Sequence, residues 1–261
     1  MTLYHEVAGH GPVVVFLHPG IADSRVWDPQ WSSFEDYRRI RIDLPGFGRT
    51  PITEPRLALA REVADLLDEL GVSGAALVGT SLGGRVALEL AIARPDLAGA
   101  LVLVGAGLPS HDWSAEVRAY AEAEDEAVAR GDLDEATEVS MRMWVDGPRR
   151  TEADVDPKFR GAVREMQRRA LELQAPRWDE PDVDVLVPDL LARLGEVAAP
   201  TLVLVGEEDV TDIHSIATRL ADSIPQARLA TIARAAHVPN LERPADFDAL
   251  VLPFLAEALP R

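Results

Sequence analysis

The sequence predicts an α/β fold with a mostly parallel, doubly wound sheet of about seven strands. Short, continuous apolar runs rich in β-branched residues alternate with longer segments of helical periodicity. Continuous apolar runs are typical of parallel strands buried on both faces, and helices cross over between such strands. Between residues 110 and 197 this alternation gives way to one helical pattern after another, and no strand is predicted there. We therefore expect a helical insertion in the α/β core.

Five strands and three helices are predicted before the insertion. Apolar runs define the strands, and Gly or Pro residues follow each of them, as expected at strand ends. Helical spacing of apolar residues defines the helices, and Gly71 and Pro95 close two of them. The predicted strands are residues 2–7, 13–17, 38–44, 75–78 and 100–104, and the predicted helices are residues 27–34, 57–70 and 82–94.

The alternation resumes after the insertion. Strands are predicted at residues 201–205 and 227–232, and helices at residues 213–223 and 245–259. The chain thus divides into an α/β core, formed by residues 1–109 and 198–261, and a helical cap subdomain, formed by residues 110–197.

Composition narrows the classes of function. With 261 residues, 47% of them hydrophobic, the chain can bury the core of one large domain. The absence of cysteine excludes disulfides, thiolate nucleophiles and cysteine-ligated metals. A formal net charge of −18 repels phosphate backbones and argues against a nucleic-acid partner. Because the chain shows neither a signal peptide nor an apolar run of about 18 residues, we expect no membrane association and predict a cytoplasmic location.

A G-x-S-x-G motif, Gly79-Thr80-Ser81-Leu82-Gly83, lies where a predicted strand passes directly into a helix. Such a turn exposes the serine at the end of the strand, and small residues on both sides let neighbouring backbone approach. It also puts the N–H of Leu82 at a helix N-terminus, where it can bind a developing oxyanion. An ordinary glycine-rich turn is the alternative interpretation. The motif predicts Ser81 as a nucleophile.

Three further polar residues, His18, Asp209 and His237, also follow predicted strands. In doubly wound sheets, ligands bind beyond the carboxyl ends of the strands, so these side chains and Ser81 are expected at one edge. A serine hydroxyl is a poor nucleophile near neutral pH until a base takes its proton, and histidine suits that role best. Of the six histidines, only His237 follows the last strand.

With these motifs the chain resembles the α/β-hydrolase superfamily over essentially its whole length, and within it the cap-bearing serine esterase and lactonase branch. The matching motifs are LHPG at 17–20, DLPGFGRT at 43–50, VGTSLGG at 78–84, VGEED at 205–209 and AHVPNLERP at 236–244. The resemblance implies an α/β-hydrolase fold with the family order nucleophile, acid, base. It also implies that the family's usual first antiparallel strand is missing, because residues 2–7 correspond to the second.

The resemblance implies a catalytic triad of Ser81, His237 and Asp209. His237 would take the proton of Ser81, and Asp209 would orient the imidazole and stabilise its cation. Asp209 follows the strand at 201–205 in the G-x-x-D turn of the family pattern. The alternative acids are nearby carboxylates, whose other interpretation is solvated loop charge: Glu207, Glu208 and Asp212.

The resemblance also implies two oxyanion donors, the N–H groups of Leu82 and Gly20. The family usually has His-Gly before the second donor, whereas this chain has Pro19 in place of that glycine. Proline has no N–H, so Gly20 is the expected donor and Ile21 the alternative. In the predicted cap, Trp144 and Met141 are expected to contact the substrate, and packing between cap helices is the alternative for both.

These observations predict a cofactor-independent serine hydrolase that cleaves a small carboxylic ester or lactone through an acyl-enzyme. No metal-binding motif is present, and the G-x-G segments lack the third glycine of a dinucleotide-binding loop. Two alternatives remain. The same triad serves carbon–carbon bond hydrolases of ring-cleavage products, and some members of the superfamily bind ligands without catalysis. The oligomeric state is not predicted.

Overall fold

The computed structural model describes residues 2–53, 56–178 and 182–259. Its central element is a seven-stranded sheet with the spatial order β1-β3-β2-β5-β6-β8-β9. Strand β1 pairs antiparallel with β3, and every other neighbouring pair is parallel. The strands of this sheet are β1 (His5–Ala8), β2 (Val13–Leu17), β3 (Arg38–Ile42), β5 (Ala75–Thr80), β6 (Ala98–Val104), β8 (Thr201–Gly206) and β9 (Ala227–Ile232).

The sheet confirms the predicted fold class and the prediction of seven strands. Continuous apolar runs form the central strands, and every residue of β5 and β8 is buried. Alternate residues face opposite layers of the core. Val15 and Leu17 pack in one hydrophobic cluster, and Val14 and Phe16 pack in the other. Helices therefore cover both faces, as a doubly wound sheet requires.

Nine α-helices lie in the described parts of the chain. In chain order they are α1 (Asp28–Ser33), α2 (Leu59–Glu69), α3 (Leu82–Ala93), α4 (Ala115–Ala129), α5 (Leu133–Ser140), α6 (Pro157–Gln174), α7 (Thr211–Ser223), α8 (Pro239–Glu242) and α9 (Pro244–Ala258). A π-helix, Met141–Asp146, continues directly from α5. The short 3-10 helices are Ser24–Trp27, Glu152–Asp154, Ala175–Arg177 and Leu190–Glu196.

A second, two-stranded sheet corrects the sequence prediction. Strand β4 (Arg56–Leu57) pairs in parallel with β7 (Asp182–Val183). Two predictions are therefore wrong: helix α2 begins at Leu59 rather than at residue 57, and residues 110–197 do contain a strand. The physical reason is length, since a strand of two residues shows no alternation that a sequence pattern could reveal.

Residues 110–197, which we call the helical insertion, connect β6 to β8, and these two strands are direct neighbours in the sheet. The described residues contain no helix that is both long enough and apolar enough to cross a membrane. The subdomain boundaries remain a prediction. Residues 1, 54, 55, 260 and 261 of the predicted core and residues 179–181 of the predicted cap lie outside the described residues.

Gly206, at the end of β8, packs against backbone that leaves no room for a side chain. An ideal Cβ at this position would lie 2.0 Å from the carbonyl oxygen of Ala236. Gly206→Ala should therefore lower the free energy of unfolding by about 1–3 kcal/mol, measured by urea denaturation. At Gly161, in helix α6, an added Cβ would meet nothing within 4 Å. The control Gly161→Ala should instead stabilise by about 0.5–1 kcal/mol. Equal shifts in the two variants would contradict this account.

Candidate active site

Ser81 sits on a sharp turn between β5 and α3. Its φ of 51° and ψ of −111° lie in a region that residues with side chains rarely occupy. Hydrogen bonds on both sides hold it there. The Ser81 N–H donates to the carbonyl of Val104 at 2.8 Å, and the N–H of Gly107 donates to the carbonyl of Ser81 at 3.2 Å. The backbone around Ser81 is thus strained and fixed, as is common at functional sites.

Two glycines make this turn sterically possible. An ideal Cβ at Gly79 would lie 2.3 Å from the carbonyl oxygen of Gly83, and one at Gly83 would lie 2.2 Å from the carbonyl oxygen of Leu17. Because backbone atoms cannot move aside as a flexible side chain can, both positions require glycine. The G-x-S-x-G spacing therefore reflects close backbone packing around Ser81 rather than an ordinary turn.

The loop after β2 lies against the start of α3. The carbonyl of His18 accepts a hydrogen bond from the N–H of Gly83 at 3.1 Å, and an ideal Cβ on Gly20 would lie 3.9 Å from Leu82 Cβ. The N–H groups of Leu82, Gly20 and Ile21 donate no hydrogen bond to any other described residue. Leu82 and Gly20 thus present free donors close together, and Ile21 remains a possible alternative.

His18 holds this loop in place, a role that the sequence analysis did not assign. The imidazole is fully buried. Its Nδ1 donates to the carbonyl of Pro19 at 2.8 Å, and its Nε2 accepts from the N–H of Leu44 at 2.9 Å. Burial lowers the pKa of His18, and the opposing effect of the nearby Asp43 carboxylate does not reverse this. A neutral His18 therefore connects the loop after β2 to the chain after β3.

His237 and Asp209 form a buried pair at the ends of β9 and β8. Nδ1 of His237 lies 2.8 Å from Oδ2 of Asp209, and each residue is only 1% exposed. The other carboxylate oxygen accepts from the N–H of Val210 at 2.8 Å. Nε2 of His237 is buried and has no hydrogen-bond partner among the described residues. One ring nitrogen is thus bound and the other is available.

This pair and Ser81 are both next to the segment that follows β6. An ideal Cβ on Gly105 would lie 3.1 Å from Nδ1 of His237 and 3.3 Å from Oδ2 of Asp209. The neighbouring Val104 and Gly107 make the two backbone hydrogen bonds with Ser81. Residues 104–107 are therefore next to both the serine and the histidine–aspartate pair.

The other candidate acids are bound elsewhere. Oδ1 of Asp212 accepts from the N–H of Ser114 at 2.8 Å and from Nε2 of His111 at 3.2 Å. Burial raises the pKa of Asp212, but these hydrogen bonds outweigh it, and the net effect lowers the pKa. Asp212 therefore attaches the helical insertion to the start of α7.

Two adjacent glutamates also have other partners. Oε2 of Glu207 accepts from the N–H of Arg234 at 2.9 Å. Glu208 forms an ion pair with Arg149 at 3.1 Å. Among the described residues, Asp209 is the carboxylate that hydrogen-bonds to His237.

Trp144 and Met141 both lie in the π-helix, but their surroundings differ. The ring centroids of Trp144 and His237 are 4.4 Å apart, and the carbonyl of Trp144 accepts from the N–H of His237 at 3.2 Å. Met141 is fully buried in a hydrophobic cluster that also contains Val163 and Met166 of α6. The structure thus brings Trp144 to His237 and buries Met141 in a hydrophobic cluster that also includes residues of the central sheet. Contact of either with a substrate stays a prediction.

A cavity of 390 Å³ adjoins Leu82. The residues that line it come from the chain between β3 and the start of α2, from α3 and from the helical insertion. Most of them are apolar: Pro45, Phe47, Ile52, Leu57, Leu59, Leu82, Arg85, Asp125, Gln174, Arg177 and Trp178. Neither this cavity nor a larger groove of 760 Å³ includes Ser81, Asp209 or His237, but the groove is lined mainly by charged residues whereas the smaller cavity is mainly apolar and borders Leu82, the neighbour of Ser81. The apolar cavity is therefore the better candidate for a substrate pocket.

The fold and this constellation define an α/β hydrolase. The chain belongs to the alpha/beta hydrolase family, whose family model matches residues 14–250. No group of three or more potential metal ligands occurs among the described histidine, aspartate and glutamate side chains.

Similar proteins have several activities. The chain is 30% identical to a 2-hydroxy-6-oxo-6-phenylhexa-2,4-dienoate hydrolase from Burkholderia cepacia, over 95% of this chain and 89% of that protein. It is 30% identical to a pimeloyl-[acyl-carrier protein] methyl ester esterase from Chromobacterium violaceum, over 95% of both chains. Among solved structures, Est816, an N-acyl homoserine lactone degrading enzyme, superimposes with a TM-score of 0.76 at 25% identity, covering 97% of this chain and 96% of that chain.

The lowered pKa of His18 predicts a pH-dependent stability. The unfolded chain binds a proton at His18 below about pH 6.5, whereas the folded protein, with its lowered pKa at His18, binds that proton only at lower pH. This contribution to stability is therefore complete above about pH 6.5 and is lost as the pH falls, by up to about 1.4 kcal/mol per pH unit. Urea denaturation between about pH 5 and pH 8 should show a steeper loss for the wild type than for His18→Gln, which keeps an acceptor for Leu44. Parallel pH profiles would show that His18 is not the responsible group.

Proposed function

We propose that the protein is a cofactor-independent serine hydrolase that cleaves a small carboxylic ester or lactone through an acyl-enzyme. The observation that carries this proposal is the hydrogen bonding of the two ring nitrogens of His237. One ring nitrogen is bound to the buried Asp209, and the other is buried without a partner beside the segment that fixes Ser81. This is the arrangement that a general base requires, and the strained turn at Ser81 is typical of a nucleophile.

The chemistry follows from these positions. Nε2 of His237 takes the proton of Ser81 Oγ as that oxygen attacks the substrate carbonyl, and Asp209 stabilises the imidazolium that forms. The N–H groups of Leu82 and Gly20 bind the tetrahedral oxyanion. The imidazolium then returns the proton to the leaving oxygen, which leaves an acyl group on Ser81. A water molecule repeats both steps and releases the acid.

The cavity and the relatives support a small ester or lactone. The cavity lies next to Leu82, and its apolar lining would take the acyl or alkyl part of a substrate near the oxyanion donors. One relative is a methyl ester esterase, and a structural neighbour degrades N-acyl homoserine lactones. The helical insertion contributes polar residues to the same cavity, so we infer that it acts as a cap. Trp144 and Met141 remain our candidates for substrate contacts from this cap.

Carbon–carbon bond hydrolysis is the second candidate function. It is favoured by the Burkholderia cepacia relative, which is a 2-hydroxy-6-oxo-6-phenylhexa-2,4-dienoate hydrolase. A panel that includes such dienoates beside esters and lactones separates the two reactions. A non-catalytic ligand-binding protein is the third possibility, and it predicts turnover of none of these compounds.

The nucleophile and the base can be tested together. A fluorophosphonate probe should label the wild type at Ser81, located by peptide mass spectrometry. Ser81→Ala and His237→Ala should each lower kcat for p-nitrophenyl acetate by several orders of magnitude. Because the two residues act as one unit, the double variant should lose little more than either single variant. Near-wild-type turnover by Ser81→Ala, in protein free of contaminating esterase, would favour the ligand-binding alternative.

The acid has a matched control three residues away. Asp209→Asn should lower kcat severely, because it spoils the orientation of His237 and removes the charge that stabilises the imidazolium. Asp212→Asn changes the same kind of group, but its partners are Ser114 and His111 rather than His237. Its kcat should stay close to that of the wild type. The acid is misassigned if Asp212→Asn abolishes turnover while Asp209→Asn does not.

A further inference from the structure

Residues 144–150 of the helical insertion contact both of the loops that carry the histidine–aspartate pair. We call residues 144–150 the clamp segment, residues 207–210 the acid loop and residues 233–238 the base loop. The clamp segment consists of the last three residues of the π-helix and the turn that follows it. Its contacts with the two loops suggest a role beyond covering a pocket.

On the side of the base loop, Trp144 restricts His237 in two ways. It accepts a hydrogen bond from the N–H of His237 at 3.2 Å, and its ring packs against the imidazole with centroids 4.4 Å apart and planes inclined by 38°. The hydrogen bond to Asp209 holds the imidazole at Nδ1 but still lets the ring tilt about the Cβ–Cγ bond. Packing against one face of the ring restricts this tilt. The direction of Nε2 therefore depends on Trp144 as well as on Asp209.

Arg150 connects the clamp segment to the base loop through Glu242. Its Nη1 donates to Oε1 of Glu242 at 2.7 Å, and Oε2 of Glu242 accepts from the N–H of Ala236 at 2.8 Å. The guanidinium also donates to the carbonyls of Asp146 at 2.7 Å and Val145 at 2.9 Å. With Arg150 13% and Glu242 8% exposed, this ion pair is shielded from water and only weakly screened. It ties the end of the π-helix to the residue before His237.

On the side of the acid loop, the clamp segment packs backbone against backbone. Gly147 has a φ of 79°, and an ideal Cβ there would lie 2.5 Å from the carbonyl oxygen of Glu208. Nε of Arg149 donates to Oε2 of the same glutamate at 3.1 Å. A single segment of the helical insertion thus contacts the neighbours in sequence of both Asp209 and His237.

We propose that the clamp segment orients the imidazole of His237, with Trp144, Arg150 and Glu242 as positioning residues. The inference rests on the proposed function, because it concerns His237 as the base. Arg150 and Glu242 act through the base loop, and Trp144 acts through the ring itself. Since a misplacement of about 1 Å in a reacting group can lower a rate about 10²-fold, a loosened imidazole should reduce turnover strongly.

The ion pair is tested by substitutions of nearly equal size. Glu242→Gln keeps an acceptor for Ala236 but removes the charge that binds Arg150, and Arg150→Met removes the guanidinium. Each should lower kcat about tenfold or more for short and long p-nitrophenyl esters alike, with KM little changed. The double variant should lose no more kcat than the more impaired single variant, because the two residues form a single connection between the clamp segment and the base loop. Arg142→Gln is the matched control, since its ion pair with Glu135 lies wholly within the helical insertion and is half exposed. Its kcat should match the wild type.

The ring contact is tested separately at Trp144. Trp144→Phe keeps an aromatic face against the imidazole and should retain kcat within about threefold, whereas Trp144→Leu should lose about tenfold for every ester. A residue that only contacts substrate would instead change KM, and by different factors for short and long esters. That pattern, with kcat preserved in Trp144→Leu, would overturn the positioning role.

A measurement without turnover separates this inference from the proposed function. In ¹⁵N-labelled protein, the Nδ1 proton that His237 shares with Asp209 should give a sharp downfield signal in the wild type and in Arg142→Gln. In Glu242→Gln it should broaden as the imidazole loosens and exchanges with water. An unchanged signal together with kcat within twofold of the wild type overturns the inference. If the signal broadens as expected but the fluorophosphonate probe fails to label Ser81, the positioning role stands and the hydrolase proposal fails.

Discussion

The site depends on backbone packed too closely for any side chain at the carboxyl edge of the sheet. Gly79 and Gly83 let the start of α3 fold back over β5 and against the end of β2. Gly206 lets the chain before His237 approach the end of β8 to within van der Waals contact. The first approach fixes Ser81, and the second brings the loops of Asp209 and His237 together. The positions of all three side chains therefore rest on contacts between main chains, which deform little.

The serine and the histidine of the candidate site are nevertheless held by different kinds of contact. The backbone of Ser81 is fixed by hydrogen bonds to Val104 and Gly107, all of which belong to the α/β core. The imidazole of His237 is held by side chains, namely Asp209 on one ring nitrogen and Trp144 across one face. These hydrogen bonds to Ser81 thus come from residues that precede the helical insertion, whereas one contact of His237 comes from Trp144 within it.

Much of the fold was predictable because its signals are local. Continuous apolar runs identify β2, β5, β6 and β8, and the strand–turn–helix context of the G-x-S-x-G motif identifies the turn at Ser81. The resemblance to the family also implied that Asp209 orients His237, and their side chains lie 2.8 Å apart. The chemical roles of these residues remain predictions.

What could not be predicted depends on contacts between distant parts of the chain. Strands β4 and β7 have two residues each and pair across more than a hundred positions, so no window of sequence reveals them. The π-helix at Met141–Asp146 differs from an α-helix in its hydrogen bonding, and it carries Trp144, whose ring packs against His237. His18 follows an apolar strand like many loop histidines, and only its two buried hydrogen bonds show that it holds the loop.

The order of the strands has a consequence for the synthesis of the chain. Strands β2, β3, β5 and β6 precede the helical insertion and lie together in the sheet, whereas β8 and β9 are added in sequence at one edge. A nascent chain that has left the ribosome up to β6 can already form the turn that carries the serine. The aspartate and histidine emerge only with the last quarter of the chain. The proposed nucleophile is therefore synthesised long before the proposed base.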